Sequence, residues 1–332
     1  MFQCKIPIGV LGLGMSHGRQ CLSNAELIKR FDLNITPKEM ENKTGIQTRY
    51  FLDEAQALSD IAAEAADNAL RNANISPDKL SRIILATSTP DYLSPSTACV
   101  VQYKLGASGF PCHDVSAACS GFLYAIDQAL RYLNTGDDLI LVIGADARSR
   151  TLSRNDINTI GLYGDGAGAL VLGSVNHLEN QGFVSSFTYA DGSGYEAVAV
   201  PSVGHAQQEQ QRLNRLSMPS GSKVMKNAIK AMPLVCNKVL NHNDLTLDDV
   251  DWFVFHQPNL MLLHSIAKRM GIPTQKVATS FCQFGNTVAA SIPITLMQAY
   301  KSRKIQRDDL VLLASIGAGF TSAATLIKWN LS

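Results

Sequence analysis

Two stretches of this 332-residue chain repeat one pattern, and a duplication limits the possible folds more than any single motif does. The first runs from Arg82 through Ile83, Ile84, Leu85 and Ala86 to Thr87, continues in a helical pattern from Thr97 to Leu105, and returns at Asp137 to Gly144 as DDLILVIG. The second runs from Asp251 to His256 as DWFVFH, continues in a helical pattern from Leu260 to Met270, and returns at Asp308 to Ala314 as DDLVLLA. Helical patterns at Ser59 to Asn72 and Val224 to Leu240 occupy corresponding places. Apolar runs rich in Ile, Leu and Val alternating with longer helical patterns are the signature of parallel sheets covered by helices, so each half is expected to be a layered α/β unit. The segment Ala167 to Gly173 closes the first half, which places the boundary near Val175 and the two halves at 1–175 and 176–332. The glycine- and glutamine-rich stretch from Asp191 to Gln211 is expected to be the long loop.

Composition narrows the function classes. A hydrophobic content of 46% with 17% charged residues gives enough material for a large core, in one extended domain or two fused ones. The formal net charge is +1 with Lys and Arg scattered, so there is no basic stripe for nucleic acid and none is expected as a partner. No run of about 18 apolar residues occurs, so no membrane span is expected. The apolar stretch Ile6 to Leu13 carries Pro7, Gly9 and Gly12 and is read as a first strand instead of a signal peptide. The seven cysteines form none of the close pairs of a zinc or redox motif, so no metal is expected and a reducing cytoplasm is the expected location.

Among those cysteines, Cys119 is singled out by its place in DVSAACSGF, between a strand-like segment and a helical pattern carrying Phe122, Leu123, Ile126 and Leu130. At a helix start, unpaired N–H groups favour the nucleophilic thiolate by about 1 kcal/mol, up to ~2 when partly buried. Cys4, Cys21, Cys99, Cys236 and Cys282 are read as packing residues, the usual use of a free cysteine. Cys112 precedes His113, but neighbours in a strand point to opposite faces. His256 ends the repeated strand of the second half in HQPN, with Pro258 expected at the first position of the next helix and Asn259 beside it. Asn286 lies in GNTVAAS, and Gly317-Ala318-Gly319-Phe320 follows the last buried strand with amides able to approach a ligand. A cysteine, a histidine and an asparagine suit acyl transfer: the thiolate takes the acyl group, and neutral donors stabilise an oxyanion or enolate. Asn can donate but cannot act as a base, whereas His256 could do either.

Together with GDGAGA at Gly164 to Ala169 and GNTVAASIP at Gly285 to Pro293, these strings resemble 3-oxoacyl-(acyl-carrier-protein) synthase III, through nearly the whole chain and in the right order. The resemblance implies the thiolase-like fold, a five-layered α-β-α-β-α core made of two α/β halves. It implies that Cys119 is acylated from an acyl thioester and that His256 and Asn286 stabilise the enolate formed when a malonyl thioester loses carbon dioxide. The backbone amides of Cys119 and Ala318 would form the oxyanion hole, with Ala318 where glycine is usual. Substrates ride on coenzyme A or acyl carrier protein, no further cofactor is implied, and a homodimer is expected. A thiolase would carry a second cysteine near the C-terminal glycine turn, where this chain reads Ser315-Ile316-Gly317-Ala318-Gly319. Chalcone synthases resemble a longer chain with a different glycine loop.

Several substrate positions depart from the family pattern. Glu39 and Lys43 stand where a tryptophan and an arginine would flank adenine, Met261 replaces an arginine after HQxN, and Ser94 replaces a phenylalanine that shapes the acyl pocket across the dimer. Arg150 is retained, and Asn259 and Phe320 are further candidate substrate contacts. These changes suggest a specialised relative in secondary metabolism with an altered donor or acceptor. The alternatives are an acyltransferase or non-decarboxylating condensing enzyme using the same acyl-cysteine, and a non-catalytic partner subunit; intact Asn286 and the complete Cys-His-Asn set count against them.

Overall fold

The computed structural model describes residues 1–153, 156–175, 181–201 and 215–332. Within them lie strands β1 (Phe2–Gln3), β2 (Ile8–His17), β3 (Gln20–Ser23), β4 (Thr48–Phe51), β5 (Arg82–Ala86), β6 (Cys112–Val115), β7 (Leu139–Ala147), β8 (Asp165–Ser174), β9 (Gly182–Ala190), β10 (Trp252–Phe255), β11 (Leu310–Gly317) and β12 (Thr321–Lys328). One five-stranded sheet has the order β2-β8-β7-β5-β6 and the other β1-β9-β12-β11-β10. The repeated segments occupy matching places: β5 runs parallel to β7, as β10 does to β11, and each longer strand then pairs antiparallel, β7 with β8 and β11 with β12.

The sheets are therefore mixed, where the sequence pattern led to an expectation of parallel ones. Parallel neighbours occur where a helix carries the chain across, as between β5 and β7; β11 and β12 are joined by the turn Ala318 to Phe320, which only an antiparallel pair can use. The strand expected from Ile6 is β2 and starts at Ile8, and it is preceded by β1, which is too short to show a period and joins the sheet of the second half. The expected long loop begins with the 3₁₀ turn Gly192–Ala197, and the rest of that expectation, from residue 202 on, lies outside the described residues.

Period-two alternation along the strands builds the layers. In β5, Ile84 and Ala86 face inward, while Ile83 and Leu85 face the outer helix Leu58–Ala73. In β10, Val254 faces inward and Phe253 and Phe255 face the outer helices Gly221–His242 and Leu260–Met270. Between the sheets lie the helices Gly121–Leu133 and Ser291–Lys301, whose Phe122, Ile126, Ile292 and Leu296 share one core with inward residues of both sheets. The result is helix, sheet, helix, sheet, helix. Both buried helices begin at the seam between the halves, and this puts their first residues at the site.

Candidate active site

Cys119, His256 and Asn286 line a single cavity of about 860 Å³, together with Ala318 and Phe320. Cys119 comes from a 3₁₀ turn, Ala118–Ser120, that leads into the central helix of the first half. His256 follows β10, and Asn286 sits in the loop before the central helix of the second half. The halves are tied together around them. The Asn286 amide donates to the Leu162 carbonyl at 2.8 Å, its carbonyl accepts from the Gly164 amide, Ser120 Oγ donates to the Thr321 carbonyl, and Thr321 Oγ1 donates to the Ala117 carbonyl. Buried Asp146 accepts from the Ala289 amide across the same seam.

Close approach dictates the glycine at 317: a Cβ there would lie 2.8 Å from the Ala117 carbonyl oxygen and 2.9 Å from the Cys119 amide nitrogen. The backbone after β11 is thus pressed against Cys119, and it brings Ala318 to the same cavity. Two residues are held in the left-handed region at some cost: Ala118, at φ 47°, just before Cys119, and β-branched Val288, at φ 53°, two residues after Asn286. The Val288 amide donates to Asn286 Oδ1 at 2.9 Å, which fixes the carboxamide by its oxygen and leaves its Nδ2 as the donor available to a ligand.

His256 is buried, with Nδ1 2.7 Å from Ser291 Oγ. Ser291 Oγ also accepts from the Gln257 amide at 3.4 Å, so among the described residues His256 Nδ1 is the acceptor left for its hydroxyl hydrogen. That assigns the ring hydrogen to Nε2. Burial pushes the imidazole down to about 3, against a smaller upward pull from the Val288 carbonyl, so His256 is neutral at physiological pH. The same burial pushes the Cys119 thiol up to about 12, although the Arg148 cation pulls it down. The pull toward the thiolate expected of a helix start is therefore opposed by burial. Moving a thiol from 9 to about 12 disfavours the thiolate by about 4 kcal/mol, more than the ~1–2 kcal/mol a helix terminus returns.

The other expected positions divide into two groups. Ser94, Asn259 and Phe320 line the cavity. Asn259, not Pro258, opens the next helix: its side chain caps Leu260–Met270 by accepting from the Leu262 amide at 2.9 Å, with Pro258 one residue earlier. Lys43, Arg150 and Met261 are exposed and lie away from the cavity wall. Arg150 donates to the Asp53 and Gln56 carbonyls, and Glu39 is engaged as the capping box of the Pro37–Thr44 helix with Thr36. Cys112 packs toward the outer helix layer while His113 meets Gln128, the opposite faces expected of a strand. Sequence reasoning missed Arg148, Ser88, Tyr163 and Ser291. A partial signal existed for Arg148, a charged residue directly after the buried apolar strand Leu139–Ala147, where a 3₁₀ turn begins.

Comparison with known proteins gives this geometry its context. Residues 113–192 match the family described as 3-oxoacyl-[acyl-carrier-protein (ACP)] synthase III, and residues 240–329 match its C-terminal counterpart. The beta-ketoacyl-[acyl-carrier-protein] synthase III of Caldanaerobacter subterraneus subsp. tengcongensis is 38% identical over 98% of this chain and 99% of its own. The chain belongs to the 3-oxoacyl-(acyl-carrier-protein) synthase III family. The synthase III of Syntrophomonas wolfei is 39% identical over 98% of each chain. The crystal structure of the Aquifex aeolicus synthase III superposes with a TM-score of 0.89 at 35% identity, covering 97% of this chain and 100% of that one. A priming beta-ketosynthase from the R1128 polyketide biosynthetic pathway superposes with a TM-score of 0.90 at 25% identity, covering 99% and 98%. As a synthase III, the chain has the thiolase-like fold and is a condensing acyltransferase: an acyl group passes to a cysteine and is joined to a malonyl thioester as carbon dioxide leaves.

Proposed function

We propose that Cys119 carries the acyl group and that His256 and Asn286 serve the decarboxylation that follows. The observation that carries this reading is the convergence of all three side chains, from both halves, on one cavity. In the first half-reaction the Cys119 sulfur attacks the donor carbonyl, the bond from that carbonyl carbon to the donor sulfur breaks, and the thiol proton leaves with the departing thiol. The Cys119 and Ala318 amides, which meet no backbone acceptor among the described residues, are the donors for the tetrahedral oxyanion. In the second half-reaction the malonyl carboxylate leaves as carbon dioxide, and its electron pair passes to an enolate whose oxygen accepts from His256 Nε2–H and Asn286 Nδ2. The enolate carbon attacks the acyl-Cys119 carbonyl, forms the carbon–carbon bond and expels the thiolate, which takes up a proton. Neither half asks for a resident cofactor, because the thioester provides the leaving group and carbon dioxide loss the carbanion.

The departures in the substrate positions support a specialised member of the family over the enzyme that starts fatty-acid synthesis. A roomy cavity with Ser94 on its wall suits acyl groups larger than acetyl, and the face carrying Lys43 and Met261 lacks the stacking tryptophan and the arginines expected for coenzyme A. The acceptor is a malonyl thioester on acyl carrier protein. Tyr92 and Leu93, 58% and 80% exposed beside Ser94, suit the homodimer expected of the family. Intact-mass measurement after incubation with acyl thioesters tests the assignment. The unmodified protein should gain one acyl group, C119A none, and H256A and N286A should still load while releasing carbon dioxide from a malonyl thioester roughly 10²–10³ times more slowly. Acyl label on Cys112 in peptide mapping, or equal loss of both half-reactions in N286A, would overturn it.

A further inference from the structure

Arg148 was given no substrate contact in the chemistry above, yet it is buried in the cavity wall beside Cys119 and Tyr163, close enough for its charge to act on both. Its guanidinium donates to the hydroxyls of Ser88 and Thr151, the latter at 3.4 Å. Ser88 in turn donates to Asp146, so the cation meets its nearest acid only through a hydroxyl. Asp146 is itself engaged: Oδ1 accepts from the Ser88 amide and from the hydroxyls of Ser88 and Thr89, and Oδ2 from the Ala289 amide. No carboxylate among the described residues forms an ion pair with Arg148. A guanidinium offers five donors in a fixed fork and cannot escape burial by losing its proton. With few of the five engaged and no carboxylate in direct contact, the group is arranged for an anion brought in by a ligand.

Three parts of the substrates could bring a standing negative charge, apart from the oxyanion and enolate that the amides, His256 and Asn286 serve. The malonyl carboxylate must lose its charge on the way to the transition state, and a guanidinium fork would stabilise it in the ground state and raise the barrier. The phosphate of coenzyme A or of the carrier sits at the far end of the pantetheine arm, whereas Arg148 lies beside the nucleophile. What remains is the acyl group. We propose that the donor is a short ω-carboxyacyl thioester whose terminal carboxylate seats on Arg148 while its thioester carbonyl meets Cys119. This rests on the reading that Cys119 is the acylated residue. The bond changes are those of the first half-reaction, and the carboxylate is held without taking part.

The test compares acylation of the full-length protein by succinyl and butyryl thioesters, which differ in a carboxylate against a methyl, on coenzyme A and on phosphate-free N-acetylcysteamine. Succinyl should load roughly 10- to 100-fold faster in kcat/KM on both carriers. R148Q should bring that ratio to about one, and R148K should keep part of it. A ratio near one in the unmodified protein overturns the proposal without needing any variant to fold. So does a ratio that survives in R148Q, a preference seen only on coenzyme A, or an R148Q defect confined to KM for the malonyl thioester. Butyryl labelling is the control: its absence, together with that of succinyl, would instead remove Cys119 as nucleophile.

Discussion

At Cys119 the thiol meets opposing influences, burial disfavouring its charge and Arg148 favouring it, with burial the larger. The sign of the pH dependence follows. With the thiol pushed up to about 12, the thiolate fraction of the empty enzyme grows about tenfold per pH unit, so alkylation of Cys119 by iodoacetamide should keep rising above pH 9. A plateau near pH 7 would show a thiolate already formed. His256 titrates in the other direction, its folded value of about 3 lying below the ordinary 6.5. Its contribution to stability is therefore present above about pH 6.5 and is lost as pH falls toward 3. The ring keeps its form throughout neutral pH, so the pH profile of malonyl decarboxylation should show no step near 6.5. These residues were legible in the sequence because each ends a recognisable element in a specific string. The left-handed Ala118 and Val288 were not, since both conformations run against the preferences of the residue types that adopt them.

Among the elements, the helix expected from Leu260 to Met270 has those bounds in the structure, and the expected strands at 82–87 and 251–256 lie within a residue of β5 and β10. Regular periods longer than a turn were readable. What the pattern could not report is how strands pair, because an apolar run looks alike beside a parallel or an antiparallel neighbour. It could not report Ser291 either, whose effect depends on the loop Gly285 to Ala290 bringing the start of the Ser291–Lys301 helix against His256. That element makes a prediction of its own. S291A removes the hydroxyl that holds Nδ1 and frees the imidazole to place its hydrogen on either nitrogen, so decarboxylation should slow by about 10-fold or more while acylation of Cys119 is kept. Steady formation of acyl-enzyme with little carbon dioxide release is the readout, and parallel loss of both would point to a packing role instead.

On the scale of the whole molecule, the five layers converge on a cavity large enough for more than acetyl, and acylation rates for acetyl and medium-chain donors on both carriers check its use. Fast, selective loading from acetyl-coenzyme A would return this chain to fatty-acid initiation. M261R should improve use of a phosphate-bearing thioester by restoring a cation on the face it shares with Lys43: a Cβ at Gly45 would come within 2.7 Å of Leu260 Cβ, so the two segments abut. The halves are also laced together away from the site. While β1 pairs with the sheet of the second half, Asn330 reaches back into the first, its Oδ1 accepting from the Val10 amide at 2.9 Å and its Nδ2 donating to the Val10 carbonyl at 2.7 Å. β2 is the edge strand of its sheet, so backbone groups that face away from β8 need another partner, and at Val10 a side chain from 320 residues away supplies it. N330A would leave two buried backbone groups unpaired, and a loss of roughly 1–3 kcal/mol for each, read as a lower Tm, is expected. The clamp also bears on how the molecule breathes. Asn330 and Val10 can meet only when both halves are assembled, so the Val10 amide should exchange its hydrogen with solvent only through the rarest, global opening, at the slow extreme of the whole chain.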